Sequence, residues 1–252
     1  MLKIEINNTY NMNCLECMKY LSSNCIDLIV ADFPYYKCVH DEWDNQWKTE
    51  KEYLDFVSDV LIGFNEIVKD TGNIIIYCSR QLEHKFKLIL EDLLLTEQRT
   101  IIWSRKRDRN TTRGKTMSSG YEPILWYSKT NKRTYNNIKV PVTDAKLLKR
   151  KEYQPGGRLA DGISLSDVWS DIPSLPHNSK EKVNHSTQKP LKLCDRVINV
   201  FSNEGDLVYI PFAGSGSEIV SCINNNRNYI ATEINNYYVE NLIKPRIKEV
   251  TI

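Results

Sequence analysis

Residues 207–218 read Leu-Val-Tyr-Ile-Pro-Phe-Ala-Gly-Ser-Gly-Ser-Glu. Leu207–Ile210 predicts a buried strand, Pro211–Ser217 a turn and Glu218 onward a helix. Two glycines let backbone approach a ligand closely at a helix start, where unpaired amides point outward. A dinucleotide fingerprint would carry a third glycine where Ile219 stands, and a phosphate loop would need Gly-Lys-Ser/Thr, which is absent. The next predicted strand, Tyr229–Thr232, ends at Glu233, the place of a ribose-binding carboxylate in such folds. A nucleoside without a phosphate to cradle fits this pattern, and S-adenosylmethionine meets that description.

Outward from the turn, apolar runs rich in Ile and Val alternate with segments of helical period, the pattern of an α/β domain with a largely parallel sheet. Cys25–Ala31 predicts a strand. Tyr53, Val57, Val60, Leu61, Phe64 and Ile67 recur at spacings of three and four, which predicts a helix that Thr71-Gly72-Asn73 ends before a strand at Asn73–Tyr77. A helix from about Gln81 to Leu95 and strands at Thr100–Trp103 and Glu122–Tyr127 follow. Pro190 suits the first turn of a helix through Leu191, Cys194, Val197, Ile198 and Phe201, and a last helix carries Tyr237–Ile243. The stretch 129–184 is polar, weakly periodic and centred on Pro155-Gly156-Gly157. Its length predicts an inserted target-recognition or lid segment within a domain formed by 1–128 and 185–252.

The chain has 252 residues, 41% of them hydrophobic, enough for one sizeable core. Its longest apolar runs fall well short of the roughly 18 residues that span a bilayer, so no transmembrane chain is expected. Met1–Glu5 carries no signal-peptide pattern, and a cytoplasmic location is expected. Seven cysteines read as thiols. Cys14 and Cys17 form a CxxC without a second compact pair, and no metal site is expected.

The net charge of +2 hides an asymmetry: residues 99–158 carry +12 and the rest −10. The basic region is interleaved with Trp103, Tyr121, Trp126, Tyr127, Tyr135 and Tyr153, which suit stacking on bases. A polyanion partner is therefore expected. Its densest run, Arg105, Lys106, Arg107, Arg109, Arg113 and Lys115, contains one acid and follows a strand end, which suits phosphate contacts.

Asp32-Phe33-Pro34-Tyr35 lies just past the strand Cys25–Ala31, the usual place of active sites in open α/β sheets. It resembles the Asp-Pro-Pro-Tyr motif of DNA amino-methyltransferases. Pro211–Ser217 resembles their Asp-Pro-Phe-x-Gly-Ser-Gly-Thr cofactor motif, and His185-Ser186-Thr187-Gln188-Lys189-Pro190 their His-Pro-Thr-Gln-Lys-Pro. The motif order is that of the beta class. Tyr121–Trp126, Asp167-Val168-Trp169 and Arg227–Glu233 match as well, so the resemblance runs from about Ile6 to Arg246.

This resemblance implies a Rossmann-like class I methyltransferase fold, mostly parallel with helices on both faces, and an S-adenosylmethionine-dependent, site-specific DNA adenine-N6 methyltransferase. It implies Asp32, Phe33, Pro34 and Tyr35 as catalytic. Phe212, Gly214 and Gly216 would line the methionine part of the cofactor, with Ala213 and Ser215 in the same loop. Thr187 and Lys189 would meet its carboxylate end, Glu233 its ribose and Asn13 its adenine. Four positions depart from the motifs. Phe33 replaces a proline whose carbonyl the family uses and any residue supplies; Ile210 replaces an aspartate, Ser186 a proline and Ser217 a threonine.

The chemistry asks for these residue types. The exocyclic nitrogen of adenine is a poor nucleophile, because its lone pair is delocalised into the ring. Two acceptors on its hydrogens, the Asp32 carboxylate and a backbone carbonyl, would hold it toward tetrahedral geometry and stabilise developing positive charge. In-line methyl transfer then depends mostly on positioning, with no metal or covalent intermediate. The base must leave the duplex, and Tyr35 would stack on it. No Pro-Cys dipeptide occurs, against a cytosine-C5 enzyme. Two alternatives stay open. One is another amino-methyltransferase, although N4-cytosine enzymes usually carry serine where Asp32 stands and protein-glutamine enzymes carry Asn-Pro-Pro-Tyr, so Asp32 favours adenine over both. The other is a silent DNA-binding homologue, for which Ile210 and Phe33 leave room. DNA is the expected partner, with a homodimer and a cognate restriction endonuclease as further candidates.

Overall fold

The computed structural model describes residues 3–105, 117, 119–142, 146–176 and 178–251. In chain order its elements are β1 (Asn8–Tyr10), α1 (Cys14–Met18), β2 (Ile26–Asp32), α2 (Glu50–Ile67), β3 (Val68–Tyr77), α3 (Glu83–Asp92), β4 (Thr96–Ser104) and β5 (Tyr121–Ser128). Then come β6 (Lys139–Val140), β7 (Ile163–Ser164), β8 (Val168–Trp169), α4 (Leu191–Phe201), β9 (Leu207–Ile210), α5 (Ser217–Asn224) and β10 (Asn228–Thr232). A last helical stretch runs through α6 (Asn236–Tyr238), a π turn at Val239–Ile243 and α7 (Lys244–Val250).

Among the described residues, eight strands form one sheet in the order β1-β10-β9-β2-β3-β5-β4-β8. β1, β10, β9, β2 and β3 pair in parallel, β5 lies antiparallel between β3 and β4, and β8 pairs in parallel with β4. The order places β2 beside β9, so Asp32 and the glycine turn emerge at neighbouring strand ends. Alternate side chains of the central strands feed two cores. Ile29, Ala31, Ile74 and Ile76 pack with α1, α2 and α3, whereas Leu28, Val30, Ile75 and Tyr77 pack with α4, α5 and the last helix. Burial on both faces explains why β2 and β3 are continuous apolar runs rather than alternating ones.

α2 starts at Thr49, whose hydroxyl accepts from Glu52 N at 3.2 Å while the Glu52 carboxylate accepts from Lys48 N at 2.9 Å. Its expected apolar stripe, Tyr53 to Ile67, is buried. The expected break at Thr71-Gly72 is absent: β3 begins at Val68, directly after the helix, and the residues before Asn73 form an irregularity in its pairing with β2. Gly72 is there because a Cβ would lie 3.0 Å from the carbonyls of Ile26 and Asp27. β4 starts at Thr96 rather than Thr100, and the last helix continues past Ile243 to Val250. The polar stretch 129–184 contributes β8, whose Trp169 is buried in the second core. No helix among the described residues is long and apolar enough to cross a membrane.

Candidate active site

Residues from five strand ends meet at one edge of the sheet. β2 ends at Asp32, β9 at Ile210 and β10 at Thr232; β4 ends at Ser104, and antiparallel β5 starts beside it, with Glu122 its second residue. The glycine turn is held by its neighbours. Thr232 Oγ1 donates to Pro211 O at 2.8 Å, Ala213 N donates to Thr232 O at 2.9 Å, and Arg246 of α7 donates to Ser215 O at 2.7 Å. Gly214 has a φ of 48°, and a Cβ there would lie 3.0 Å from His185 Nε2, so glycine is needed for both backbone shape and space.

Glu233 ties the turn to the segment after β10. One oxygen accepts from Gly214 N and the other from Asn235 N, each at 2.8 Å. Burial pushes its carboxyl up, and these amides pull it back. Each oxygen retains acceptor capacity, which suits the two hydroxyls of a ribose.

The cavity beside the turn is lined by Asn13, Thr187, Phe212, Ala213, Gly214, Ser215 and Glu233, and also by Asp32 to Tyr35 and Lys189. Gly216 is the expected residue that does not line it. It sits at the N-cap of α5 with a φ of 76°, packed against Ile243. Asn13 caps α1 by accepting from Leu15 N at 2.8 Å. Met12, Ile234 and Tyr238 complete an apolar wall around the few polar groups, as small-molecule sites require. A purine nucleoside with a methionine tail fits this set of donors, acceptors and apolar surfaces. The buried His185 Nδ1 has no hydrogen-bond partner, and a ligand could satisfy it.

The cavity also borders a cluster of charge. Lys189 Nζ donates to both Asp32 oxygens, at 2.7 and 2.8 Å, and to the Tyr35 hydroxyl at 3.0 Å. It also pairs with Glu122 Oε1 at 3.1 Å. Tyr35 in turn donates to Asp32 Oδ1 at 3.2 Å. Burial opposes the Lys189 charge, but Asp32 and Glu122 outweigh it and hold the ammonium above the usual lysine range. Burial pushes Glu122 up, and Lys189 pulls it back.

The resemblance implies Lys189 at the cofactor carboxylate; in this structure its ammonium meets Asp32, Tyr35 and Glu122 instead. Pro34 O accepts from Tyr53 OH at 2.6 Å. Phe33 fills the core with its ring, 4.9 Å from Phe212 and 5.1 Å from Phe86.

Sequence reasoning missed three contributors. Glu122 stood in the quoted Tyr121–Trp126 stretch without a role. Glu218, in the first turn of α5, reads as an ordinary dipole-complementing acid, yet it is buried against the cavity, with its carboxyl pushed up to about 7 by burial and then by Asp32. The third is a clasp at the cavity wall, where Trp43 stacks on His185 at 6.0 Å and the neighbouring Ser186 donates to Asp41 at 2.6 Å. Burial lowers His185 to about 4, so the ring is neutral at pH 7.

Arg105 closes the same edge. Its guanidinium lies 3.7 Å from Glu122 Oε2, and its backbone N donates to Gly120 O at 2.9 Å. Lys106, Arg107, Arg109, Arg113 and Lys115 lie outside the described residues. Cys14 and Cys17 are buried free thiols, pushed up to about 12 and about 11, chiefly by burial.

A mostly parallel sheet, a glycine turn and an acidic strand end around one cavity define a class I methyltransferase architecture. The sequence matches the N6/N4 methylase family, described as DNA methylase, over residues 26–244, and the chain belongs to that family. It is 31% identical over 232 residues to the type II methyltransferase M.HpaI of Haemophilus parainfluenzae, covering 90% of this chain and 70% of that one. To the DNA adenine methyltransferase YhdJ of Escherichia coli it is 30% identical, covering 88% and 76% respectively. Among solved structures, M1.HpyAVI in complex with SAM has a TM-score of 0.66 at 22% identity, covering 95% of this chain and 98% of its own. The cytosine-N4-specific PvuII DNA methyltransferase has a TM-score of 0.71 at 15% identity, covering 98% and 92%.

Proposed function

We propose that this DNA methyltransferase acts on the exocyclic N6 amine of adenine, with S-adenosylmethionine as methyl donor. The observation that carries the reading is the Asp32 carboxylate in the wall of the same cavity as the glycine turn, with the ring of the next residue, Phe33, 4.9 Å from that of Phe212. When bound, S-adenosylmethionine supplies a methyl group on a sulfonium that leaves as a thioether. Glu233 holds the ribose hydroxyls, Asn13 borders the adenine, and Phe212 to Ser215 with Thr187 border the methionine part. Asp32 and the Phe33 carbonyl accept the two amine hydrogens, align the nitrogen lone pair and stabilise its growing positive charge. Asp32 is also placed to take the proton that the methylated nitrogen releases.

Tyr35 supplies the ring on which a flipped base stacks. Arg105 and the basic run after it hold phosphates, and 129–184 reads the target. The type II names of the relatives extend the reading to a cognate endonuclease. A second reading, N4 methylation of cytosine, is supported by the likeness to the PvuII enzyme. Mass spectrometry of nucleosides from DNA incubated with protein and S-adenosylmethionine tests both. N6-methyladenine is expected; N4-methylcytosine alone would replace the adenine reading, and neither base would overturn both.

A further inference from the structure

Asp32 offers about four lone-pair sites. Lys189 takes one on each oxygen and Tyr35 a second on Oδ1, which leaves one on Oδ2 for an amine hydrogen of the target. The difficulty is electrostatic. A carboxylate clamped by an ammonium is neutral as a pair, and a neutral pair does little for a nitrogen that becomes positive.

Glu122 answers that difficulty. Its Oε1 lies 3.1 Å from the same Nζ; burial and Asp32 push its carboxyl up while Lys189 pulls it down, and with Glu122 ionised the three side chains carry a net charge of −1. The Lys189 and Glu122 side chains are only 3% and 8% exposed, so water screens this charge weakly. Arg105 offsets part of this charge from the other carboxylate oxygen, Oε2, at 3.7 Å, farther than the 3.1 Å at which Lys189 meets Oε1. Glu218, pushed up to about 7, adds a charge that is only partial near pH 7.

We propose that Glu122 is a positioning residue for methyl transfer: it holds Lys189 and supplies the net negative charge that lets Asp32 stabilise the target amine. The proposal rests on the amino-methyltransferase function above.

Single-turnover methyl transfer to DNA, with calorimetric titration of S-adenosylmethionine and thermal melts alongside, tests it. Glu122→Gln keeps shape and removes charge. Its transfer rate should fall about tenfold or more, while the cofactor Kd stays within about threefold. Glu122→Asp keeps the charge and should recover most of the lost rate. Glu122→Ser repeats the uncharged test should the glutamine variant not fold. A rate within twofold of wild type in the uncharged variant would overturn the proposal, as would an equal loss in the aspartate variant or a rate loss matched by lost cofactor affinity. An inactive wild type would instead bring down the function itself, and this proposal with it.

Discussion

The glycine-turn side of the cavity and the Asp32 side differ in what holds them. At the turn, shape is set by backbone: Gly214 at positive φ, the amides of Gly214 and Asn235 on Glu233, and the carbonyls of Pro211 and Ser215 taken by Thr232 and Arg246. Around Asp32, three ionisable side chains from β2, β5 and the turn before α4 meet within about hydrogen-bond distance. Backbone-built surfaces tolerate varied side chains, because main-chain groups do the binding. Ile210 illustrates this, since it is buried in the second core and packs rather than binds. A charge cluster has no such slack: removing one member leaves the others buried and unbalanced.

The contrast is broken most directly at Asp32. Asp32→Ala should slow single-turnover methyl transfer on the order of a hundredfold or more, with cofactor affinity changed little. Near-normal turnover would show that the charged side is no more critical than the turn. Next, Glu233→Ala removes an acceptor for the ribose and should weaken S-adenosylmethionine binding roughly tenfold to a hundredfold by calorimetry. DNA affinity should stay level, and an unchanged cofactor Kd would make Glu233 a brace for the turn alone.

Glu218 sharpens the comparison through pH. Its folded value of about 7 lies above the ordinary 4.5, so the folded protein binds its proton more tightly than the unfolded chain does. Its cost to stability therefore grows as pH rises from 4.5 to about 7 and is complete above that. Glu218→Gln should raise the melting temperature at pH 8, by up to about 3 kcal/mol of stability, and gain little near pH 4.5. An equal gain at both pH values would rule out titration of Glu218 as the cause. The smallest effect is at Arg105. Arg105→Ala should reduce the log–log salt slope of DNA binding by about 0.9, one phosphate contact, on any sequence. An unchanged slope measured by fluorescence anisotropy would assign Arg105 to Glu122 alone.

Much of this fold was legible because its decisive elements announce themselves locally. Leu207–Ile210, the glycine turn and the apolar stripe of α2 each carry their own pattern. β1 and β8 carry none, since two or three residues cannot display a period and are ordered only by the strands beside them. Thr71-Gly72 misled for a physical reason: glycine marks a turn or a close backbone approach equally well, and here it is the approach. The site followed the same division. Asp32, Glu233 and Gly214 could be placed by their position at strand ends, but nothing local tells that Lys189 meets Asp32, 157 residues away, or that Glu122 stands behind it. Such pairings exist only once the sheet has set its strand order.

Phe33 changes what it means to restore a motif. Its ring lies against Phe64, Phe86 and Phe212, tying the end of β2 to the glycine turn. Writing proline back at that position would recreate the familiar letters and excavate the core beneath them, at a cost in the range of about 3–5 kcal/mol seen for truncating buried phenylalanine. The four residues are thus not a portable cassette. Anyone grafting this Asp-Phe-Pro-Tyr into another methyltransferase would have to carry the surrounding rings with it, and anyone grafting Asp-Pro-Pro-Tyr here would have to fill the hole.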